Sequence, residues 1–260
     1  MKSYLSISSY ENNREIIDRG FFNLEVYKKF IEKLSEKASI ETFESELGNP
    51  IYSIKFGNGS KSLISFAGLH GNEVEGILGV LRMLDLLYEG VFDDKTEKIS
   101  YIGVPILNID SAGKKRRNAK GRDINRDFGK YGPFKLLGSE FQTKEAKIAK
   151  EIISKHNHLL VVDHHSYNGF DFFTEEYDNG NSLAKEIGEK IREGVREEKF
   201  GLEYVYFIYP TENKGYLVNY VSTLPDGHGI MIECASPFFH TLSDIVALEE
   251  LYKNLFIKSE

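Results

Sequence analysis

A histidine and a glutamate stand three positions apart in the run Leu69-His70-Gly71-Asn72-Glu73. An imidazole nitrogen and a carboxylate oxygen at this spacing are able to share one metal ion, and both groups are common zinc ligands. The apolar residues 62–67 before the run predict a buried strand, and the apolar-rich residues 74–88 after it predict a helix. The sequence therefore predicts two metal ligands, His70 and Glu73, in a loop at the end of a sheet.

A second histidine-bearing segment, residues 161–167, offers the third protein ligand that catalytic zinc usually has. Side chains alternate along a strand, so Asp163 and His165 share one side while His164 faces the other. We favour His165 over His164 as the ligand. Each motif alone also fits a solvated helix face or a hydrogen-bonded core histidine. The two motifs together, each at the end of an apolar strand, favour a metal site.

Cationic side chains are concentrated between residues 114 and 126 of an otherwise acidic protein. Arg116 and Arg126 each present paired donors that match the two oxygens of a carboxylate, and Asn125 adds a further donor. We therefore predict an anion clamp for a substrate carboxylate. A solvated loop and a nucleic-acid surface are the alternatives. The second of these lacks interleaved aromatic residues and an overall basic charge.

Apolar periodicity predicts strands that alternate with helices along the chain. This alternation indicates a single α/β domain, with a mixed, mostly parallel sheet, helices on both faces and ligand sites at the carboxyl ends of strands. Gly57-Asn58-Gly59 predicts a hairpin between two strands, because these residues tolerate positive φ. The predicted strands are residues 51–56, 62–67, 101–107, 159–163, 204–209 and 229–234, and the predicted helices are residues 24–37, 140–156, 183–195 and 244–257, with Asn23 and Ser243 as N-caps.

Length and composition are those of an ordinary globular protein, with 260 residues, 41% hydrophobic residues and a net charge of −7. We predict an N-terminal extension over residues 1–22 and one domain over residues 23–260. The single cysteine, Cys234, excludes an intrachain disulfide and fits a reducing compartment. Neither a signal-peptide core nor an apolar run of bilayer length is evident, so we predict a cytoplasmic protein without a membrane or nucleic-acid partner.

Residues 116–128, Arg-Arg-Asn-Ala-Lys-Gly-Arg-Asp-Ile-Asn-Arg-Asp-Phe, resemble the Arg-x-Asn-Ala-x-Gly-x-Asp-Leu-Asn-Arg-Asn-Phe signature of the zinc carboxypeptidases, the M14 family. Residues 67–73 resemble the first metal motif of that family, and residues 165–167 resemble its third-ligand motif. Residues 108–110, Asn-Ile-Asp, resemble the family's Asn-Pro-Asp-Gly with the proline and glycine replaced. The resemblance runs from about residue 23 to the C-terminus. It implies a zinc carboxypeptidase-like, phosphorylase/hydrolase-like catalytic domain.

The resemblance implies one zinc ion, bound by His70, Glu73 and His165. It also implies that Asp123 is the carboxylate that orients His70, a role that metal-bound imidazoles usually require. Glu233 ends the apolar segment 229–233, where the sequence alone allows a general base or a salt-bridged strand end. The family carries its catalytic glutamate on this strand, so the resemblance assigns Glu233 the role of general base.

The substrate-binding residues are also implied by the resemblance. Asn125 and Arg126 would hold the terminal carboxylate of the substrate, and Arg116 would polarise the scissile carbonyl and stabilise the oxyanion. Tyr209 matches the tyrosine of the family's mobile loop by its Ile-Tyr context, and the tyrosines at positions 216 and 220 are its competitors.

The resemblance thus implies a zinc-dependent metallocarboxypeptidase that hydrolyses a peptide or small amide next to a free carboxylate, with water activated on zinc and Glu233 as base. The alternative is an N-acyl amino acid deacylase of the related succinylglutamate desuccinylase/aspartoacylase group, which shares the His-Gly-Asn-Glu and Asp-x-Asn-Arg elements. Against it, those proteins usually carry a β-rich domain after the position of Glu233, where this chain is short. A metal-binding protein without catalysis is the second alternative.

Overall fold

The computed structural model describes residues 10–129, 142–166, 172–177, 182–197, 204–208, 216–234 and 236–256. The strands are β1 (Ile17–Asp18), β2 (Phe21–Phe22), β3 (Ser39–Glu44), β4 (Pro50–Phe56), β5 (Lys61–Ala67), β6 (Ile99–Val104), β7 (His158–His165), β8 (Phe172–Tyr177), β9 (Tyr204–Ile208) and β10 (Gly229–Glu233). The helices are α1 (Glu11–Arg14), α2 (Leu24–Leu34), α3 (Val74–Tyr88), α4 (Asp93–Thr96), α5 (Lys144–Lys155), α6 (Ser182–Glu197), α7 (Leu217–Ser222) and α8 (Pro237–Phe256).

Within the described residues, one large sheet contains eight strands in the order β3-β4-β6-β5-β7-β10-β8-β9, and β1 pairs with β2 separately. The pairs β6–β5, β5–β7, β7–β10 and β8–β9 are parallel, and the other three pairs of the large sheet are antiparallel. The predicted α/β fold with a mixed, mostly parallel sheet is therefore confirmed.

The middle of the sheet brings three chain segments to one edge. Strands β5, β7 and β10 are neighbours and run parallel, so their carboxyl ends lie side by side. Nearly every residue of these strands is buried, which is typical of parallel strands covered on both faces. The residues that follow β5 and the last residues of β7 and β10 consequently meet at the same place.

Helices pack on both faces of this central part. On one face, α3 and α8 lie against each other, and His164 of β7 contacts Asp244 of α8. On the opposite face, Val218 of α7 packs against Gly229 and Met231 of β10. None of the helices in the described parts of the chain has both the length and the apolar composition needed to cross a bilayer.

The described end of the predicted N-terminal extension is hydrogen-bonded to the rest of the protein at several points. The Tyr10 hydroxyl donates a hydrogen bond to Thr241 Oγ1 of α8 over 3.0 Å. The Gly20 N–H donates to the carbonyl of Gly113 over 2.6 Å. Gly113 has a φ of +71°, and a Cβ there would lie 2.3 Å from the carbonyl oxygen of Phe21, so the contact needs glycine. A domain boundary at residue 22 stays a prediction.

The predicted hairpin between β4 and β5 is wrong, because β6 lies between these two strands. Gly57 does have the positive φ that the turn signal implied, at +82°. A Cβ on Gly57 would lie 2.0 Å from the carbonyl of Thr96, and one on Gly59 would lie 2.3 Å from the carbonyl of Lys98. The glycines therefore allow the segment before β6 to approach closely, and they do not pair the flanking strands.

The boundaries of the last helix and of α2 also differ from the prediction. The last helix begins at Pro237, well before the predicted residue 244, because proline is favourable in the first turn of a helix. Ser243 is therefore inside α8 and not its N-cap, and its hydroxyl donates to the carbonyl of Phe239 over 2.7 Å. In α2 the predicted cap is present, since Asn23 Oδ1 accepts from the Val26 N–H, but the helix ends at residue 34.

Candidate active site

The structure brings the three predicted metal ligands together at the carboxyl edge of the sheet. Glu73 lies between two imidazoles, with Oε1 2.7 Å from His70 Nδ1 and Oε2 2.7 Å from His165 Nδ1. The two Nδ1 atoms are 3.1 Å apart. All three side chains are buried, and one ligand atom from each lies within 4.8 Å of the others. His164 points away from this group, toward α8.

The loop between β5 and α3 has this shape because two of its positions need glycine. Gly68 has a φ of +66°, a backbone region that residues with a Cβ rarely adopt. A Cβ on Gly71 would lie 2.4 Å from the carbonyl oxygen of Ser111, in the loop after β6. The tight turn is closed by the Glu73 N–H, which donates to the His70 carbonyl over 3.1 Å. The turn sets the two side chains on the same side of the loop.

Two carboxylates hold the far nitrogens of the imidazoles. Asp123 Oδ1 is 2.9 Å from His70 Nε2, and Asp163 Oδ2 is 3.0 Å from His165 Nε2. A carboxylate at Nε2 accepts a hydrogen bond from the N–H group there, and this tautomer leaves the lone pair of Nδ1 for a ligand. The sequence placed Asp163 on the side of His165 but gave it no role. Strand alternation could have identified Asp163 as a partner of His165, because it lies two residues before His165 on the same side of the strand.

Charges within the group reinforce one another. Burial raises the pKa of Glu73, but His165 and His70 lower it more, so the pKa of this carboxyl group lies well below its ordinary value. Burial likewise raises the pKa of Asp123, and His70 and Arg116 bring it well below the usual range. Both carboxyl groups are therefore ionised at neutral pH, as metal ligation and imidazole orientation require.

The group fits one divalent metal ion by donor type and by arrangement. Two imidazoles and one carboxylate are a donor set of catalytic zinc sites, which leave a further position open. The Nδ1 atoms of His70 and His165 face each other across 3.1 Å, and both face the carboxylate of Glu73. A cation among these three atoms would satisfy both lone pairs together with the carboxylate charge.

We expect Asp163→Asn to weaken zinc binding about 10- to 100-fold, because the amide no longer fixes the proton on His165 Nε2. Competition with a chromophoric chelator measures this change directly. Asp123→Asn is the parallel variant on the side of His70, and it should have a similar effect. Unchanged zinc affinity in both variants would show that the two carboxylates do not orient the ligands.

Arg116 lies at the rim of the same group. Its Nη1 donates to Glu73 Oε1 over 3.0 Å and its Nη2 to Asp123 Oδ2 over 3.4 Å, while about half of the side chain is exposed. The Arg116 guanidinium thus contacts both the proposed ligand Glu73 and the proposed orienting carboxylate of Asp123. The exposed part of the guanidinium remains open to a molecule that approaches the metal group from solvent.

Asn125 and Arg126 follow Asp123 in a single 3₁₀ turn, and they are bound differently. Asn125 is buried, with Nδ2 3.0 Å from His165 Nε2 and Oδ1 accepting from the Leu217 N–H over 2.9 Å. Arg126 is half-buried, and its guanidinium carbon lies 4.3 Å from the ring centroid of Tyr216, within cation–π range. The structure therefore turns Asn125 inward against His165 and holds Arg126 against an aromatic ring.

Glu233 is the last residue of β10, and it pairs in register with His165 of β7. The backbone beside it is fixed, because the N–H of Cys234 donates to the carbonyl of His165 over 3.0 Å. The structure therefore places the predicted base on the strand next to a predicted ligand. Tyr209 lies outside the described residues. Its competitor Tyr216 is the residue that contacts Arg126.

Comparisons with known proteins find one family model that matches part of the chain. Residues 59–169 match the family model described as "Succinylglutamate desuccinylase/Aspartoacylase catalytic domain". The match covers less than half of the chain, from β5 through the third proposed ligand. No curated protein matches the chain.

Solved metallocarboxypeptidases share the fold over most of the chain. The metallo-carboxypeptidase of Burkholderia cenocepacia is 14% identical, with a TM-score of 0.73 over 92% of this chain and 71% of that one. Carboxypeptidase A of Helicoverpa armigera is 17% identical, with a TM-score of 0.72 over 93% and 77%. The metallo-carboxypeptidase of Pseudomonas aeruginosa, solved with (2-guanidinoethylmercapto)succinic acid, is 18% identical, with a TM-score of 0.69 over 92% and 70%.

The protein therefore has the fold of the metallocarboxypeptidases. The resemblance predicted from the sequence is confirmed, by the fold over most of the chain and by the family model over residues 59–169. The match to a catalytic domain also supports the expectation that the protein is a hydrolase.

Proposed function

We propose that this protein is a zinc-dependent hydrolase that cleaves a peptide or amide bond next to a free carboxylate, as a metallocarboxypeptidase does. The observation that supports the proposal is the buried group of His70, Glu73 and His165. Arg116 contacts this group, and Arg126 lies in the turn that follows Asp123. A metal group alone would fit many chemistries. The neighbouring guanidinium groups add a preference for an anionic substrate.

Each side chain has a defined task in this reaction. Zinc held by the three ligands would supply Lewis-acid polarisation and lower the pKa of water. Glu233 takes the proton from the attacking water and returns it to the leaving nitrogen. Arg116 donates to the carbonyl oxygen as negative charge develops on it. Arg126 pairs with the substrate carboxylate and so fixes the distance from that carboxylate to the cleaved bond.

The surroundings of Arg126 support its task. The Tyr216 ring restricts the guanidinium on one face, and Arg126 Nη1 donates to the Asn125 carbonyl over 2.8 Å. A restrained guanidinium loses less freedom when a carboxylate binds. The Pseudomonas aeruginosa relative is bound to a substituted succinic acid, a ligand with two carboxyl groups. As part of the proposal, we extend the binding of a carboxylate ligand to this protein.

An N-acyl amino acid deacylase is the second candidate, and the family match favours it. The matched model describes the catalytic domain of succinylglutamate desuccinylases and aspartoacylases, and it covers the metal group and the segment of Arg116 and Arg126. The two candidates share the bond type, the metal and the substrate carboxylate. They differ in what lies on the acyl side of the cleaved amide, so substrate panels separate them.

The test is a double-mutant cycle on zinc-loaded protein, with peptides that end in a free carboxylate or in an amide. The wild type should turn over the carboxylate peptides with a kcat/KM about 10- to 100-fold higher, because a hydrogen bond to a charged group contributes about 1.5–3 kcal/mol. Arg126→Ala should lose this preference and leave the amidated peptides unaffected. Arg117→Ala, a neighbouring exposed arginine, is the matched control and should keep the preference.

The same panel includes N-acyl amino acids, and each outcome decides something. Turnover of N-acyl amino acids without turnover of peptides would establish the deacylase in place of the peptidase. A carboxylate preference that survives Arg126→Ala would remove this residue from substrate binding. Zinc-loaded protein that hydrolyses neither class would overturn the proposed function and favour a metal-binding protein without catalysis.

A further inference from the structure

A second histidine group lies on the face of the sheet opposite the proposed metal ligands. His164 Nδ1 is 3.0 Å from His240 Nδ1, and His164 Nε2 is 3.0 Å from Asp244 Oδ1. Asp244 also accepts hydrogen bonds from the hydroxyls of Ser65, over 2.7 Å, and Tyr101, over 2.6 Å. All five side chains are fully buried, and none of them has a task in the proposed reaction.

Proton counting shows that this buried group is complete. His240 Nε2 lies 3.1 Å from the carbonyl oxygen of Cys234, which only accepts, so His240 carries a proton on Nε2. One further proton lies between the two Nδ1 atoms, and one lies between His164 and Asp244. These three protons satisfy every contact that the two imidazoles make in this group. Its connectivity is therefore fixed, and the last link is a hydrogen bond from His240 to a backbone carbonyl.

That last link reaches the strand of the proposed base. Cys234 directly follows Glu233, and its N–H donates to the carbonyl of His165. His164 directly precedes His165 on β7. The contact between His164 and His240 thus links His164, which precedes the proposed ligand His165, to Cys234, which follows the proposed base Glu233. The two imidazoles lie on the face of the sheet opposite the proposed metal ligands.

Helix α3 is shaped to let this pair fit. A Cβ on Gly79 would lie 2.3 Å from the Cβ of His240, and a Cβ on Gly76 would lie 3.0 Å from the carbonyl oxygen of His164. Glycine inside a helix costs about 0.5–1 kcal/mol relative to alanine, and here it allows α3 to pass directly over the two histidines. The close approach leaves the imidazole of His240 little room to move.

We propose that His240 is a positioning residue that sets the place of Glu233 relative to the metal ligand His165, by holding the Cys234 carbonyl from behind the sheet. This inference rests on the proposed function, because Glu233 is taken as the general base. We expect the loss of His240 to lower kcat and not to change KM, since a displaced base leaves substrate binding unchanged. A misplacement of about 1 Å at a reacting group can cost about 100-fold in rate.

Two amide substitutions of different length test the link. His240→Gln carries its amide nitrogen far enough from the backbone to keep a donor for the Cys234 carbonyl. His240→Asn is too short to reach it and keeps a polar group only near His164. We expect His240→Asn to lower kcat about 10- to 100-fold without changing KM or zinc content. We expect His240→Gln to restore most of kcat. If the asparagine variant does not fold, His240→Met, which has similar length and no donor, replaces it.

Tyr101→Phe is the control for a general effect of the buried group. It removes a donor to Asp244 but leaves the link from His240 to Cys234 intact, so it should lower thermal stability and leave kcat unchanged. Equal losses of kcat in the asparagine and glutamine variants, or a similar loss in Tyr101→Phe, would overturn the positioning role. Wild-type protein without any hydrolysis would instead overturn the proposed function, so the two failures are distinguishable.

Discussion

Replacement of Glu233 by glutamine is expected to abolish hydrolysis while zinc stays bound. The amide has nearly the same shape as the carboxylate, but it cannot take a proton from water. General-base catalysis typically contributes about 100- to 10,000-fold, and we expect kcat to fall by at least this factor. Single-turnover rates on zinc-loaded protein measure the loss, and metal analysis of the same sample measures the zinc.

Glu75→Gln is the matched control for this variant. Glu75 is also largely buried near the metal group, but its Oε1 accepts from the Arg19 guanidinium over 2.7 Å and not from a proposed ligand. The same chemical change there should leave kcat close to that of the wild type. Retained turnover in Glu233→Gln would assign the proton transfer to another group and would remove the mechanistic part of the proposal.

The second large effect is expected for His165→Ala, which removes a fully buried proposed ligand. The wild type should gain thermal stability on zinc addition, because a ligand that binds only the folded state stabilises it. The variant should lose this shift together with bound zinc and all activity. It should also be less stable without zinc, since Asp163 loses its partner inside the protein.

His158→Ala is the control on the same strand. His158 lies at the opposite end of β7, where its Nδ1 is 3.3 Å from the His156 carbonyl, and its removal should leave the zinc-dependent shift intact. A shift of normal size in His165→Ala would contradict the assignment of His165 as a ligand. Calorimetry with and without zinc gives the shift for all three proteins.

The choice between His164 and His165 shows what sequence patterns are able to decide. Strand alternation alone placed Asp163 and His165 on one side, and in the structure these two side chains are hydrogen-bonded to each other. His164 contacts α8 on the other side. The alternation holds because β7 is buried and pairs in regular register with β5 from Leu160 to His164, so that side-chain direction follows from position in the strand.

The hairpin and the last helix show where such patterns fail. The turn signal at residues 57–59 reports only which backbone angles are tolerated, whereas strand order depends on contacts with the distant β6. Ser243 has the residue type of an N-cap, but Pro237 starts the helix earlier. The role proposed for His240 was equally hidden, because its partners His164 and Cys234 come from two other strand ends.

Strands β5 and β7 pair directly, and β10 joins on the far side of β7 from a later part of the chain. The three proposed ligands need only the first two strands, whereas the proposed base arrives with the third. We therefore expect a displacement of β10 from β7 to move the proposed base and to leave the three proposed ligands in place. Under these assignments, bound metal and turnover depend on different strands, so metal content alone does not measure the fraction of protein that is competent for catalysis.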